Sequence, residues 1–435
     1  MEELTLRGNT RKLVIVALVA FGIRLAVIPF TIGEWRNPRY LAQYEPGNVA
    51  IALIHGHGFG SPWRTGVNQP SAVVPPAYPL ILAAIYRCFG INTETSIAIA
   101  LVFDCMLSAL VCIPIYLLTR NAFGQQAAIW AGWAWVFSPY GIYFAAEWPW
   151  PTHLLTLGIC WLVYLAQRMA GCARLGLWVT FGLVAGLTAL AEPSVLSVAA
   201  FLLCFCTWRL ASNSARWLAP PASAAFVLIV TLSPWMIRNA IVFHRFIPMR
   251  SGLGLEMYIG NHPGTVHWSG MQFHPNHDAG ELAEYRAGEM AFMDHKMQEA
   301  RLYIGEHKLW YAIRCVRRAV YLWTGYWSFA PAYLAEEPMD VANIPLRTLL
   351  TLLGILGLVA AWQHDPQQAI LFGGVLFFYP FLYYFVHPEA YRMCPLDPFL
   401  GALGYLAVRD FVADPVAERW RARNAETEAW LETNS

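Results

Sequence analysis

The residue best suited to chemistry in this sequence is Glu45, in the polar segment Tyr44-Glu45-Pro46-Gly47-Asn48. A carboxylate at a membrane–water boundary can accept a proton from an attacking hydroxyl as a general base. An acid before a proline is also a common way to begin a helix. Both interpretations of Glu45 are open, and in the first of them Tyr44 is a candidate substrate contact.

The same loop contains two arginines and two histidines that could contact a substrate. Arg36 and Arg39 carry planar guanidinium groups, which suit phosphate oxygens. Arginines beside a membrane can instead contact lipid head groups, and the sequence favours this simpler interpretation. His55 and His57 alternate in a glycine-rich turn and are further candidates for contact with a substrate.

Two pairs of residues far apart in the sequence, Arg238-Asn239 and Tyr391-Arg392, are predicted to lie at the outer ends of membrane spans. With Arg314 nearby, they would form a cationic pocket at the depth of the lipid head groups. A lipid-linked donor would place its phosphate there, with its hydrocarbon in the membrane and its sugar in water. Simple contact between each arginine and a lipid head group is the alternative.

The later part of the chain has four histidines and an aspartate that could bind a metal ion, His262, His267, His274, His277 and Asp278. Neutral imidazoles and carboxylates are ligands of zinc and similar metals. These spacings match no standard site, so no metal ligand and no firm cofactor is predicted. A divalent metal stays open but unsupported.

The composition identifies the class of protein. Of 435 residues, 57% are hydrophobic and 13% are charged, against about a quarter charged in soluble domains. The apolar residues form blocks long enough to cross a bilayer as helices, in which every backbone group is satisfied within its own segment. The net charge of +1 argues against a nucleic-acid partner and leaves membrane lipids as the surroundings.

The blocks predict an all-α polytopic membrane protein with about ten spans and both termini in the cytoplasm, because short basic flanks stay inside. The first outer loop is residues 33–95, the second is 243–344, and a cytoplasmic tail covers 411–435. Residues 1–435 would form one transmembrane domain. The predicted spans are 13–32, 96–119, 125–145, 152–168, 175–191, 193–210, 219–241, 345–363, 368–386 and 394–410.

Several apolar stretches are predicted to lie on the outer membrane surface. Residues 46–54 and 75–89 are too short to span, and 278–307 has the period of one amphipathic helix. Residues 309–330 are long enough to span but contain three arginines near their start, so they are also placed on the surface. Within the spans, Arg24 and Asp104 could pair with each other.

Five segments in this order resemble the GT-C glycosyltransferases, membrane enzymes that include protein O-mannosyltransferases and lipid A aminoarabinose transferases. The similarity is closest to the bacterial members and covers most of residues 20–410. The segments are YEPGNVAIALIHGHGFGSP at 44–62, PPAYPLILAAIYRCFG at 75–90, PWMIRNAIVFHRFIPMRSGLGLEMYIGN at 234–261, GEMAFMDHKMQEARLYIGEH at 288–307 and HPEAYRMCPLDPFL at 387–400.

The resemblance implies the GT-C fold and an inverting sugar transfer on the outer, periplasmic side of the cell inner membrane. The donor would be a polyprenyl-phosphate-linked sugar, and the acceptor a lipid, a glycan or a protein. By the same matching, Glu45 would be the base, and Arg238 and Tyr391-Arg392 would lie near the donor phosphate. Many members have Asp or an adjacent acidic pair where this chain has a single Glu, which weakens a metal-dependent mechanism.

A non-catalytic membrane protein is the alternative from another class, either a polyprenyl-lipid transporter or a scaffold subunit. Transporters often show two related halves with broken spans at corresponding positions. This sequence shows no such symmetry, and its large outer loops favour the enzyme.

Overall fold

A computed structural model describes residues 2–60, 62–63, 68–212, 217–265 and 270–415. The predicted cytoplasmic tail, 411–435, lies outside the described residues from position 416 onward. The first thirteen helices are α1 (Glu2–Leu25), α2 (Ile28–Thr31), α3 (Pro38–Gln43), α4 (Glu45–Ile54), α5 (Ala77–Phe89), α6 (Glu94–Leu110), α7 (Cys112–Phe123), α8 (Gln125–Val136), α9 (Pro139–Glu147), α10 (Thr152–Met169), α11 (Leu175–Ala189), α12 (Val195–Ala211) and α13 (Ala219–Phe243).

The remaining α-helices of the described chain are α14 (Leu253–Asn261), α15 (Ala279–Tyr285), α16 (Glu289–Glu306), α17 (Lys308–Thr324), α18 (Pro331–Glu336), α19 (Asp340–His364), α20 (Pro366–Phe378) and α21 (Asp397–Val408). Short 3-10 helices occupy Ile32–Arg36, Met271–Phe273, Phe381–Tyr384 and Ala390–Leu396. The prediction of an all-α polytopic membrane protein is confirmed.

Each of the ten predicted spans coincides with a helix or with two consecutive helices. Four segments are long and apolar enough to cross a membrane by length and composition alone, Arg11–Arg36, Glu94–Phe123, Ala219–Phe243 and Asp340–His364. The total of ten spans therefore stays a prediction.

Helix α17 has an unusual distribution of side chains for a helix with three arginines. Leu309, Ile313 and Val316 are exposed along one side, whereas Arg314 and Arg318 are buried on the other. Arg314 donates to the carbonyl of Thr265, and Arg318 donates to the carbonyls of Gly260 and Phe385. The arginines thus connect α17 to the rest of the protein and leave its apolar stripe outward, as in a helix that lies on a membrane surface.

One helix predicted over 278–307 is in fact two, α15 and α16. The chain turns between them at Gly288, whose φ of +146° disfavours any residue with a Cβ. The periodic pattern continues across this turn, so the apolar period alone did not locate the break.

The predicted pairing of Arg24 with Asp104 is wrong. Arg24 of α1 donates to the Ser108 hydroxyl at 2.7 Å and to the carbonyl of Trp135 at 2.9 Å. Asp104 of α6 instead accepts from the Tyr78 hydroxyl at 2.7 Å and from the Trp150 backbone N–H at 2.9 Å. The two groups therefore have separate partners, and Oδ2 of Asp104 holds the tryptophan-rich turn after α9 in place.

Glycines allow the closest helix contacts. A Cβ built on Gly357 of α19 would lie 2.0 Å from the carbonyl oxygen of Leu403 in α21. A Cβ on Gly182 of α11 would lie 2.2 Å from the Ala224 carbonyl oxygen in α13. Small residues at such crossings let backbones approach closely, which is how helices associate where lipid removes the hydrophobic driving force.

We expect Gly357→Ala to destabilise the protein by about 1–3 kcal/mol, because the new methyl group must push α19 away from α21. Gly22→Ala in α1 is the matched control, since its Cβ would meet no atom within 4 Å. Thermal unfolding of both purified variants in detergent measures the difference. Equal melting temperatures for the two variants would contradict this account of the packing.

Candidate functional site

A cavity of about 510 Å³ lies where five distant segments meet. Its walls come from the start of α4, the turn between α9 and α10, residues 250–259, residues 271–277 and residues 387–392. Four of these segments belong to the two predicted outer loops and to the approach to the last helix, and the fifth is the short turn between α9 and α10. Glu45, Tyr391 and Arg392, three of the residues predicted to act on a substrate, line this one cavity.

Glu45 is the first residue of α4, and it also faces the cavity. Its side chain is only 15% exposed. Oε1 accepts a hydrogen bond from the indole Nε1–H of Trp63 at 2.5 Å and lies 3.3 Å from Nε2 of His274. The two interpretations of Glu45 are therefore compatible, since the residue begins a helix and presents a carboxylate to the cavity.

The hydrogen bonds of His274 show which of its two ring nitrogens carries the proton in the neutral form. The backbone N–H of Asn276 donates to Nδ1 of His274 at 3.1 Å, so in the neutral ring Nε2 carries the proton and points it at Glu45. Burial raises the pKa of Glu45, but the contact with His274, the hydrogen bond from Trp63 and the charge of Arg250 outweigh it. The pKa of Glu45 is thus below its usual value, and the carboxylate is ionised at neutral pH.

A network of charged side chains around Glu256 forms another part of the cavity wall. Its carboxylate lies 2.7 Å from Nδ1 of His387, 3.8 Å from Arg250 and 3.9 Å from Arg392. His387 also contacts Glu389, with 3.5 Å between Nε2 and Oε1. Burial opposes the charge on His387, but Glu256 and Glu389 more than offset it and raise the pKa of His387 to about 9.

The charge of the cavity differs from the cationic pocket predicted from sequence. Two arginines line it, but so do six carboxylates, Glu45, Glu147, Glu192, Glu256, Glu337 and Glu389. Burial, together with the charge of Glu34, raises the pKa of Glu147 to about 7 despite its hydrogen bond from Tyr143. Positive charge is therefore confined to the edge that holds Arg250, Arg392 and His387, and the rest of the wall is acidic.

Aromatic side chains form the apolar part of the wall. Trp148 and Trp150, in the turn that Asp104 holds, line the cavity together with Tyr391. The ring centroids of Trp150 and Tyr391 are 6.2 Å apart. Tyr44 lies behind this wall, fully buried, and its hydroxyl donates to the Pro149 carbonyl. The prediction that Tyr44 contacts a substrate stays a prediction, and the geometry shows it supporting the tryptophan turn.

Arg238 and Asn239 lie at the end of α13 and do not line the cavity. Arg238 donates to the carbonyls of Phe59 at 2.7 Å and Ser71 at 2.8 Å. Asn239 is fully buried and donates to the carbonyl of Ile247 at 3.1 Å. Arg238 therefore fastens the first outer loop to α13, and Asn239 holds the segment that follows α13. A direct role of either residue in donor binding stays a prediction.

The other predicted contacts also lie away from the cavity. Arg36 is exposed and pairs with Glu94 at 2.7 Å, and Arg39 is exposed as well. His55 and His57 are exposed in their turn, and Arg314 is buried under α17. Their predicted roles are not tested by these positions, but the cavity is formed without them.

The four histidines and the aspartate proposed as possible metal ligands can be compared with the structure, apart from His267. In the chain that the structure describes, no group of three or more His, Cys, Asp or Glu side chains is arranged to hold a metal ion. His274 instead contacts Glu45. His262 packs against Phe273, with 3.7 Å between the ring centroids. His267 lies outside the described residues.

Sequence reasoning missed the residues that surround Glu45 and Arg392. Arg250 and Glu256 lie inside the segment 234–261, and His387 begins the segment 387–400. Both segments carry the family resemblance, but no role was predicted for these three residues. Trp63 directly follows a third segment. His274 was noticed only as a metal ligand. The signal that could have found them is the presence of several ionisable residues in each segment, outside the predicted spans.

Comparison with known proteins identifies solved structures with a similar fold. No protein-family profile and no curated protein sequence matches this chain. Among solved structures, the archaeal oligosaccharyltransferase AglB from Archaeoglobus fulgidus, in complex with an inhibitory peptide and a dolichol-phosphate, matches with a TM-score of 0.51 and 14% identity. The match covers 95% of this chain and 51% of that one, and the apo form of the same enzyme gives a TM-score of 0.52.

A third match is ArnT from Cupriavidus metallidurans bound to undecaprenyl phosphate, with a TM-score of 0.40 and 14% identity over 92% of this chain and 78% of that one. The likeness to AglB shows that this chain has the GT-C fold, as its sequence segments predicted. The chain spans about half the length of that oligosaccharyltransferase.

The raised pKa of His387 predicts a pH dependence of stability. A histidine whose folded pKa is about 9, against about 6.5 unfolded, stabilises the fold fully below pH 6.5 and loses this contribution as the pH rises through 9. Between these values we expect a loss of up to about 3 kcal/mol. His387→Gln removes the titrating group, so its melting temperature will fall less steeply over this range.

The matched control for this measurement is His295→Gln, which removes an exposed histidine that lines no cavity and pairs with Glu284 at 2.5 Å. Melting temperatures of the three proteins are compared between pH 6 and 10. Parallel curves for the wild type and His387→Gln would show that His387 does not hold its proton in the fold.

Proposed function

We propose that this protein is a glycosyltransferase that moves a sugar from a polyprenyl-phosphate-linked donor to an acceptor hydroxyl on the outer face of the cytoplasmic membrane. One observation carries the proposal. Glu45 near the start of the chain and Arg392 near its end line the same cavity, so a carboxylate suited to act as a base and a guanidinium suited to a phosphate face one space. The GT-C fold supports it.

In the proposed reaction Glu45 accepts the proton of the acceptor hydroxyl while the hydroxyl oxygen attacks the anomeric carbon of the sugar. The bond from that carbon to the phosphate oxygen breaks, and polyprenyl phosphate leaves with the electron pair. A single displacement inverts the anomeric centre. The proton ends on Glu45 and one additional negative charge ends on the phosphate.

Arg392 and Arg250 are placed to stabilise that additional charge. Guanidinium groups match phosphate oxygens in geometry, and preorganised donors in a partly dry site stabilise developing charge strongly. Glu256 holds both arginines at one edge of the cavity, at 3.8 Å from Arg250 and 3.9 Å from Arg392. Burial opposes the charge on Arg392, but the neighbouring Tyr391, Tyr383, Glu256 and Glu389 more than offset it and hold the pKa of Arg392 above its usual value. This cation therefore persists at any physiological pH.

The nature of the donor rests on the cavity and on the fold together. AglB was solved with a dolichol-phosphate, a phosphate lipid of this class. An arginine edge facing an acidic wall would receive one phosphate and direct the uncharged sugar toward Glu45. The acceptor is a lipid, a glycan or a protein that reaches the cavity from the periplasmic side of the inner membrane.

We expect Glu45→Gln to lower sugar transfer by about 100- to 10,000-fold, because the amide cannot accept the hydroxyl proton. Expression and melting temperature should not change. The assay follows consumption of a radiolabelled polyprenyl-phosphate sugar by the purified protein in detergent. Glu34→Gln is the control, since Glu34 is an exposed acid of the same outer loop that does not line the cavity.

Full activity in Glu45→Gln would remove this residue from the mechanism. Absence of any donor consumption by the wild type would instead favour the non-catalytic alternative, a transporter or scaffold.

Arg392→Gln should lower transfer by about 100-fold or more, as the loss of one preorganised donor to a developing anion does elsewhere. It should also weaken the binding of polyprenyl phosphate alone, measured by inhibition of transfer. Arg286→Gln is the matched control, because Arg286 is an exposed arginine of the second outer loop and is not among the residues that line the cavity of Glu45. Unchanged inhibition by polyprenyl phosphate in Arg392→Gln would place the phosphate elsewhere.

A further inference from the structure

A second cavity of about 570 Å³ lies between α16 and the residues that follow α13. We call it the methionine groove, because Met290, Met293 and Met297 of α16 line it. Leu253 and Leu302 also line the groove. Leu253 is 50% exposed and Leu302 is 59% exposed. Methionine side chains are flexible and adapt to irregular apolar ligands.

The methionine groove has the opposite charge to the cavity that holds Glu45. Arg245, Arg250 and Arg301 line it, and Asp294 is the one carboxylate among its described lining residues. Asp294 is already paired with Arg245 at 2.7 Å. An apolar groove with excess positive charge suits an amphiphile that carries a negative charge, whereas the acidic cavity repels one over most of its wall.

Arg250 belongs to both cavities and marks the place where they meet. Its Nε donates to the carbonyl of Val73 at 2.7 Å, which fixes the guanidinium between them. The floor of the groove is held nearby, since Glu289 accepts from the Ser251 hydroxyl at 2.7 Å and from the Ala72 backbone N–H at 2.8 Å. One ligand can therefore lie in both spaces, with its charged group at Arg250.

The groove begins where α13 leaves the membrane-spanning region. Ile241 in the last turn of α13 is 66% exposed, and Phe246 at the entrance of the groove is 69% exposed. Exposed His244 and Arg245 separate these two apolar side chains, so apolar and cationic groups alternate between the predicted span and the groove. This arrangement offers contacts to both the hydrocarbon and the negative charge of a lipid of the outer leaflet.

We propose that the methionine groove binds the first isoprene units of a polyprenyl phosphate, whose phosphate lies at Arg250 and whose sugar extends into the cavity of Glu45. This inference rests on the proposed function. Each part of the donor would then bind where its chemistry fits. The hydrocarbon lies in the apolar and cationic groove, the phosphate at the shared Arg250 and the sugar in the acidic cavity.

The test is Met297→Glu, which puts a negative charge into the groove on a helix that tolerates glutamate. The KM for a long-chain polyprenyl-phosphate sugar should rise about tenfold while kcat is retained, the pattern of lost substrate binding. A donor whose polyprenyl chain is replaced by a methyl group has no hydrocarbon to place in the groove, so it should show the same kcat/KM in the variant and the wild type. Met339→Glu is the matched control, because Met339 is 75% exposed and lies outside the groove.

Each outcome decides a different claim. Unchanged KM for the long-chain donor in Met297→Glu, with transfer intact, would overturn the groove and leave the proposed function standing. Absence of transfer by the wild type would overturn the proposed function. In that case the groove is still tested by binding of radiolabelled polyprenyl phosphate, which Met297→Glu must weaken. Equal competition by phosphatidic acid would show a general lipid surface and overturn the proposal.

Discussion

The outer part of this protein depends on one buried group of charges centred on Glu256. A carboxylate removed from water is costly unless opposite charges and hydrogen-bond donors surround it. Glu256 is surrounded by Arg250 from its own loop and by His387 and Arg392 from the approach to the last helix. Because none of these charges is stable there alone, the second outer loop and the end of the chain must assemble together. That assembly is what forms the arginine edge of the cavity.

The position of each arginine, rather than its residue type, decides its use. Arg238 and Arg392 were predicted for the same interface and the same task. Arg238 meets the backbone carbonyls of the first outer loop, which occupy its donors, and so it holds that loop to α13. Arg392 lies 3.9 Å from Glu256 and above the ring of Tyr383, with its guanidinium carbon 4.7 Å from the ring centroid. These contacts orient Arg392 but leave it on the cavity wall, where an anion can reach it.

The sequence predicted the helical membrane fold, the presence of a helix or helix pair at each expected span and the meeting of Glu45 with Tyr391-Arg392 at one cavity. Long apolar blocks and ordered segments are local features that a sequence displays directly. Three kinds of feature were not predictable in the same way. The acidic wall gathers Glu147, Glu192 and Glu337 from separate elements, which only the fold brings together. The break at Gly288 interrupts no apolar period, and the separate partners of Arg24 and Asp104 depend on helix rotations that spacing does not specify.

The low pKa of Glu45 raises a question about its use as a base, since a strongly acidic group accepts protons poorly. Arg250 is one of the neighbours that lower the pKa of Glu45, and it is also the cation that lines both cavities. A ligand that binds Arg250 would therefore change the pKa of Glu45. A donor phosphate bound at Arg250 would neutralise that cation and add a negative charge near Glu45. Both effects raise the pKa of a carboxylate. The base would therefore become stronger when the donor is bound, so an ionised Glu45 in the free protein and an effective base in the loaded one are consistent.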